Sequence, residues 1–215
     1  AQALVLAGTV LVDGAPVTKA GTPVADGAAI ELTAPDHRWV SRGALKLEAA
    51  LDAFAVSPEE LDCLDVGAST GGFTDLLLER GARRVIALDV GRGQLDWKLR
   101  QDPRVAVFEG VNARHLGPGD LPFAVDLACV DVSFISLELV VPAVLPHLKP
   151  GATLICLVKP QFEAGRDQVG SGGVVRDEAV RRRVVDATVA ALAKLGLELV
   201  GVVPSPIRGP KGNLE

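Results

Sequence analysis

The chain has 215 residues, 48% of them hydrophobic, with 22 basic and 27 acidic side chains for a formal net charge of −5. That length buries one sizeable α/β core and leaves a few dozen residues for an appendage. No apolar run reaches the roughly 18 to 20 residues of a membrane-spanning helix, and the start AQALVLAGTVLVDG lacks the charged flank and cleavage site of a signal peptide, so a cytoplasmic protein without membrane contact is expected. Methionine is absent altogether, which is expected of a fragment. An acidic balance argues against nucleic acid as a partner, because phosphate binding normally shows as a basic surplus. Cations nevertheless gather locally, at Arg38, Arg42 and Lys46, at Arg92, Lys98 and Arg100, and at Arg208 and Lys211, so a basic face is compatible with the acidic total. Taken singly, each of these charges reads equally well as a solvated surface group.

Residues 1–33 carry short β-branched runs (TVLVDG, APVTKAGTPV, AAIEL) between Asp-Gly and Gly-Thr-Pro turn signals, which predicts a small β-rich unit. Residues 34–43 (APDHRWVSRG) have no apolar period and read as a linker. In ALKLEAALDAF, Leu45, Leu47, Ala50, Leu51 and Phe54 fall three and four apart, the spacing of an amphipathic helix. Residues 44–215 then read as one domain. Six apolar runs (LDCLDVG, RVIALDVG, RVAVFEG, VDLACVDV, ATLICLVKP and LELVGVVP) predict strands buried on both faces of a largely parallel sheet. Helical patterns alternate with them at GGFTDLLLERGA, at the proline-interrupted LELVVPAVLPHL, and from an Asp177 cap to Leu195 before Gly196. The expected fold class is therefore α/β, a doubly wound Rossmann-like sheet preceded by a β-rich unit. Cys63, Cys129 and Cys156 lie singly in apolar runs with no Cys-x-x-Cys pair, which predicts buried strand thiols and no metal site.

DVGASTGGFT follows the first parallel strand and opens a helix, with Gly67, Gly71 and Gly72 spaced to bring backbone close to a ligand. The spacing G-x-x-x-G-G is neither the dinucleotide fingerprint nor a phosphate loop, since no Gly-Lys-Ser/Thr follows. Asp89 ends the second strand 22 positions after Gly67, where a carboxylate can accept from both hydroxyls of an adenosine ribose. Asp65, just before the loop, can meet a cationic amino-acid group. S-adenosylmethionine has both features.

Ligands of open parallel sheets bind beyond the carboxyl ends of the strands. Asp131 ends ACVDVSF, Lys159 ends LICLVKP, Lys46 lies on the helix preceding the first strand, and Glu215 follows the sixth run. A lone Lys or Asp at a strand end is more often a solvated cap than a catalyst. As a set, two cations and two carboxylates can converge on a transferred methyl group.

The blocks VSRGALKLEAAL, LDVGASTGGFTDLLL, ALDVGRGQLDWKLR, VDVSFISL, VKPQFEAGR and SPIRGPKGNLE together resemble the TlyA-type (hemolysin A-like) rRNA methyltransferases, a branch of the FtsJ-like ribose 2′-O-methyltransferases. The resemblance runs through the whole chain. It implies a Lys-Asp-Lys-Glu tetrad at Lys46, Asp131, Lys159 and Glu215. It also implies S-adenosylmethionine along Asp65, Gly67, Ala68, Ser69, Thr70, Gly71, Gly72, Phe73 and Thr74, with Asp89 and Val90 at the ribose, Asn112 and Ala113 near the adenine, and Asp131 beside the cofactor. Residues 1–33 are expected to be the trailing part of an S4-like RNA-binding domain, and a final antiparallel strand is expected beyond Glu215. The implied substrate is a ribose 2′-hydroxyl of ribosomal RNA, a cytidine in ribosomal subunits, contacted through Arg38, Arg42, Lys46, Arg208 and Lys211. A monomer is expected.

Lys159 is the candidate to take the hydroxyl's proton, with Lys46 as the neighbouring cation that favours its neutral form. The loop EAGRDQVGSGGVV reads as a substrate clamp or, equally, as a surface loop. Three rival classes differ at identifiable features. A small-molecule methyltransferase has no use for the β-rich unit or the four-residue set. A non-catalytic RNA-binding module gives no reason for Asp65 and Asp89, and a pore-forming hemolysin needs a membrane-active segment.

Overall fold

The structure is a computed structural model that describes residues 4–5, 8–32, 37–165, 168–170, 172–209 and 211–215. The first residues of the β-rich unit, Pro35 in the linker and part of the loop EAGRDQVGSGGVV lie outside the described residues.

Three short strands, β1 (Val10–Val12), β2 (Ala15–Val17) and β3 (Ile30–Leu32), form an antiparallel sheet in the order β2-β1-β3. Asp13 and Gly14 take positive φ and turn β1 into β2, as the Asp-Gly signal predicts. This small sheet is consistent with an S4-like unit.

The main body is a five-stranded, wholly parallel sheet in the order β6-β5-β4-β7-β8. Its strands are β4 (Asp62–Val66), β5 (Arg84–Asp89), β6 (Val105–Glu109), β7 (Val125–Val130) and β8 (Leu148–Cys156). Helices α1 (Ala44–Ala53), α2 (Gly72–Glu79) and α3 (Trp97–Gln101) accompany its first half, and α4 (Leu137–Val144), α5 (Pro160–Glu163) and α6 (Glu178–Ala193) its second. One apolar layer joins Leu47, Leu51, Leu76, Leu77 and Val85, and another joins Leu64, Ile86, Val130, Val140 and Val144, so β4, β5 and β7 are covered on both faces. That double burial is why these strands are written as continuous apolar runs. Asp177 caps α6 through the Ala179 and Val180 amides, and Gly196 follows its end at φ 84°.

The sixth run corrects the expectation. Residues 197–204 form no strand among the described residues, and Leu199, Val200 and Val202 are 56%, 83% and 57% exposed. An apolar run becomes a strand only where a neighbour takes its N–H and C=O groups, and here none does. The linker boundary also shifts. Trp39 is buried in the apolar layer with Leu47 and Phe73, and the Val40 amide donates to Asp75 Oδ2 at 2.9 Å, so the segment from Trp39 onward packs as part of the main body. Cys63 and Cys129 are buried in β4 and β7, whereas Cys156 in β8 is half-buried. Burial pushes the thiols of Cys63 and Cys156 up to about 12, which leaves them inert at neutral pH.

At the amino ends of the strands, away from the site described below, buried Asp62 meets Arg83, Arg84 and Lys149. The Arg84 guanidinium, with help from the other two cations, holds its carboxyl far below the usual range.

Candidate active site

Strand order reverses between β4 and β7, and the loops leaving their carboxyl ends touch. Gly67 has φ 89°, and a Cβ there would fall 2.3 Å from the Asp131 carbonyl oxygen. A side chain at Gly71 (φ 98°) would fall 2.2 Å from Leu99 Cδ1, and one at Gly72 would fall 2.3 Å from Ser41 Oγ. At all three glycines a side chain would meet protein, because the β7 loop, α3 and the segment before α1 close onto the turn, while Gly67 and Gly72 also line the cleft that opens beside it. Gly71→Val is accordingly expected to strain the backbone and collide with Leu95 and Leu99. A melting temperature lowered by several degrees, with any loss of cofactor affinity secondary to it, would be the result in a thermal shift measurement.

A cleft of about 150 Å³ opens beside this turn, lined by Ser41, Gly43, Asp65, Gly67–Phe73 without Gly71, and Asp131. Asp65, 1% exposed, ends β4 beneath it. Its Oδ2 accepts from the Thr74 amide at 2.9 Å and from Thr74 Oγ1 at 2.7 Å, while Oδ1 has no partner. Burial raises its pKa to about 7, reinforced by the nearby carboxylates Asp131 and Asp89. A buried acceptor left open on one side suits a cationic donor such as an ammonium group. Asp89, ending β5, accepts from the Ser69 amide at 2.8 Å and the Gly91 amide at 2.6 Å, one on each oxygen. A carboxylate has about four acceptor positions, so two remain for ribose hydroxyls. Val90 is 69% exposed beside it. Asn112 caps the short turn Ala113–His115 by accepting from the Arg114 amide, and Ala113 is buried.

Both lysines of the predicted set find carboxylates. Lys159, 8% exposed, places Nζ 2.5 Å from Asp131 Oδ1 and donates to Ser133 Oγ at 2.9 Å. Lys46 pairs with Glu215, whose side chain is 1% exposed. Gln161 Nε2 donates to Glu215 Oε1 at 3.4 Å and so ties the second pair to the helix that follows Lys159. Asn213, 2% exposed, accepts from the Val175 amide and donates to the Gly173 carbonyl, fastening the turn before Glu215 to the glycine-rich loop. Each lysine is thus buried with its own carboxylate, Lys46 with Glu215 and Lys159 with Asp131, and two neutralised pairs cost less to bury than two unpaired cations.

Ser41, Ser133, Phe134 and Gln161 were missed by sequence reasoning. Only Ser133 and Gln161 carried a hint, each standing two residues beyond a predicted site residue. Phe134 is 88% exposed at φ 65°, with its ring 5.0 Å from that of Phe162.

The predicted basic residues divide. Arg42 and Lys211 are exposed with no ion-pair partner among the described residues, and exposed Arg208 donates to the Gly212 carbonyl. Arg38 pairs with Glu79 at 2.5 Å and stacks on Trp39. Lys98 and Arg100 are matched by Asp75 and Glu109. Lys46, with its side chain 10% exposed, sits inside the site rather than on a phosphate-binding surface.

Residues 39–215 match the description of the FtsJ-like methyltransferases. The chain belongs to the FtsJ-like methyltransferase family. Over 216 aligned residues this FtsJ-like protein is 51% identical to the 16S/23S rRNA (cytidine-2′-O)-methyltransferase TlyA of Mycobacterium tuberculosis, with all of the present chain and 81% of the relative covered. It is 41% identical to hemolysin A of Brachyspira hyodysenteriae, again over its full length and 90% of the relative. A solved structure of a hemolysin-named protein from Streptococcus thermophilus superposes with a TM-score of 0.83 at 45% identity, covering 98% of this chain and 77% of the other.

Proposed function

We infer that this FtsJ-like protein transfers a methyl group from S-adenosylmethionine to a ribose 2′-hydroxyl of ribosomal RNA, a cytidine by analogy with its TlyA relatives. The observation that carries the reading is Asp131, which both lines the cleft beside the glycine-rich turn and pairs with Lys159. When bound, S-adenosylmethionine supplies an already activated sulfonium methyl, so the protein's task is alignment of the acceptor and removal of its proton. Asp65 offers its open oxygen to the amino-acid ammonium and Asp89 its remaining acceptor positions to the ribose. Lys159, once it has given up its own proton to solvent, takes the acceptor's proton, and Asp131 and Ser133 stabilise the ammonium that re-forms. Lys46, Glu215 and Gln161 brace the adjoining wall. Phe134, exposed on the Lys159 side, offers a face on which a base can stack.

Residues 1–33 act as an S4-like RNA-binding unit, and Arg42, Arg208 and Lys211 supply phosphate contacts around the site. The cytoplasm, where ribosomal subunits are found, is the proposed location. The hemolysin name belongs to relatives. Among the described residues, no helix is long and apolar enough to cross a membrane.

The test is incorporation of tritiated methyl from S-adenosylmethionine into ribosomal subunits, with the modified nucleotide checked for resistance to alkaline cleavage. Labelled but alkali-sensitive RNA would mean methylation of a base instead. Labelling of small molecules alone would favour the small-molecule reading.

A further inference from the structure

The loop that joins β7 to α4 carries Asp131, Ser133 and Phe134, and it is bent into a costly shape. Phe134 is a bulky residue at φ 65°, a conformation that a non-glycine residue keeps only where its surroundings over-determine it. One hold lies before it, where Ser133 Oγ accepts from Lys159. The other lies after it. Glu163, the last residue of α5, accepts from Ser136 Oγ at 2.6 Å with Oε2 and from the Leu137 amide at 2.9 Å with Oε1. Ser136 is also the cap of α4, so the Glu163 carboxylate sits at the positive end of that helix. The ring of Phe162, the residue next to Glu163, rests against Phe134. Two strand-end loops are thus laced at two points, with the aromatic pair between them.

We propose that Glu163 is a positioning residue for methyl transfer: it holds the Asp131–Ser136 loop in its strained form against α5, and so sets Asp131 at Lys159 and Phe134 toward the acceptor nucleotide. The proposal rests on the methyl-transfer reading above. Glu163 lines no part of the cofactor cleft, so its effect falls on the acceptor side. Removing both of its charge-assisted bonds frees the loop to relax to negative φ at Phe134, which misplaces Asp131 and Phe134 together.

The experiment compares Glu163→Ala, Glu163→Gln, Ser136→Ala and the Glu163→Ala/Ser136→Ala pair in methyl transfer to ribosomal subunits, with S-adenosylmethionine affinity measured by calorimetry on each. Glu163→Ala is expected to lower kcat about 10- to 100-fold while cofactor affinity stays within about twofold. Glu163→Gln, which keeps an acceptor for the Leu137 amide, is expected to recover a large part of that loss. In kcat the double variant should lose less than the product of the two single losses, since both substitutions break the Ser136–Glu163 bond, while the loss of the Ser136 cap on the Glu138 amide falls on stability. Unchanged kcat in Glu163→Ala, or independent multiplying effects of the two substitutions, would overturn the proposal. So would a parallel loss of cofactor affinity and kcat in every variant, which marks a general loss of folding. An unsubstituted chain that binds the cofactor but methylates no RNA would defeat the functional reading, and this inference with it.

Discussion

Lys159→Ala is expected to lower methyl transfer to ribosomal RNA by about 10²- to 10⁴-fold, the range spanned by general-base groups, with S-adenosylmethionine affinity changed by no more than a few-fold. The asymmetry follows from where the side chain points. Lys159 is buried with Nζ held by Asp131 Oδ1 and Ser133 Oγ, and it does not line the cleft that Asp131 lines. Its removal leaves the Asp131 carboxylate without its counter-ion, which does not weaken attraction for a cationic sulfonium. Lys159→Arg should fail nearly as badly, because a guanidinium supplies charge but cannot give up a proton near neutral pH, and its planar fork does not fit a place made for a single ammonium. Single-turnover methyl transfer beside calorimetric titration separates the two quantities. Near-normal turnover in the Arg variant would make Lys159 an electrostatic anchor and move the search for the base to Lys46, Asp131 or water.

The second large effect belongs to Asp65, and it carries a pH signature. Its carboxyl titrates near 7 in the free protein because burial outweighs the two bonds from Thr74. An ammonium ligand binds the ionised form, so affinity for S-adenosylmethionine should be level above pH 7. Below that it should fall by up to tenfold per pH unit as the carboxyl takes up its proton. Asp65→Asn keeps the Thr74 bonds but has no charge to offer, and should bind the cofactor about 10- to 100-fold more weakly with no dependence on pH in this range. Stability moves in the opposite sense. A carboxyl whose folded-state value is raised stabilises the fold below its unfolded value of 3.8 and loses that contribution as pH rises to about 7. Asp65→Asn should therefore match the parent's melting temperature near pH 4 and exceed it above pH 7. Calorimetric affinities and melting curves at pH 5, 6, 7 and 8 read both trends. A pH-independent parent would mean that Asp65 is already ionised and that the cation is bound elsewhere.

The sheet itself was readable in the linear sequence, for a reason that lies in its burial. Strands covered on both faces read as near-continuous apolar runs broken only by residues near their ends, so DCLDV, RVIALD and VDLACV declare themselves without reference to any partner. The polar residues that terminate them, Asp65, Asp89 and Asp131, were conspicuous for the same reason, and the parallel topology puts such ends on one edge. Helix α6 was equally legible, because its Asp177 cap and Gly196 stop are local devices that need nothing from the rest of the chain.

What the chain could not declare was anything that depends on a distant neighbour. LELVGVVP has the composition of a strand, yet pairing is a property of two segments, and among the described residues no second segment takes it up. Trp39 read as part of a linker because one aromatic residue in a polar stretch has no period, and only the apolar layer of α1 and α2 gives it a place. The glycines of DVGASTGGFT marked a turn correctly, but whether their missing side chains make room for ligand or for protein depends on Asp131, Leu99 and Ser41, which lie far from them in sequence. The four-residue set shows the division most plainly. Sequence supplied Lys46, Asp131, Lys159 and Glu215 as candidates, and the tertiary structure decided their pairing, Lys46 with Glu215 and Lys159 with Asp131, because burying a charge demands an opposite one within reach, and reach exists only once the chain is folded.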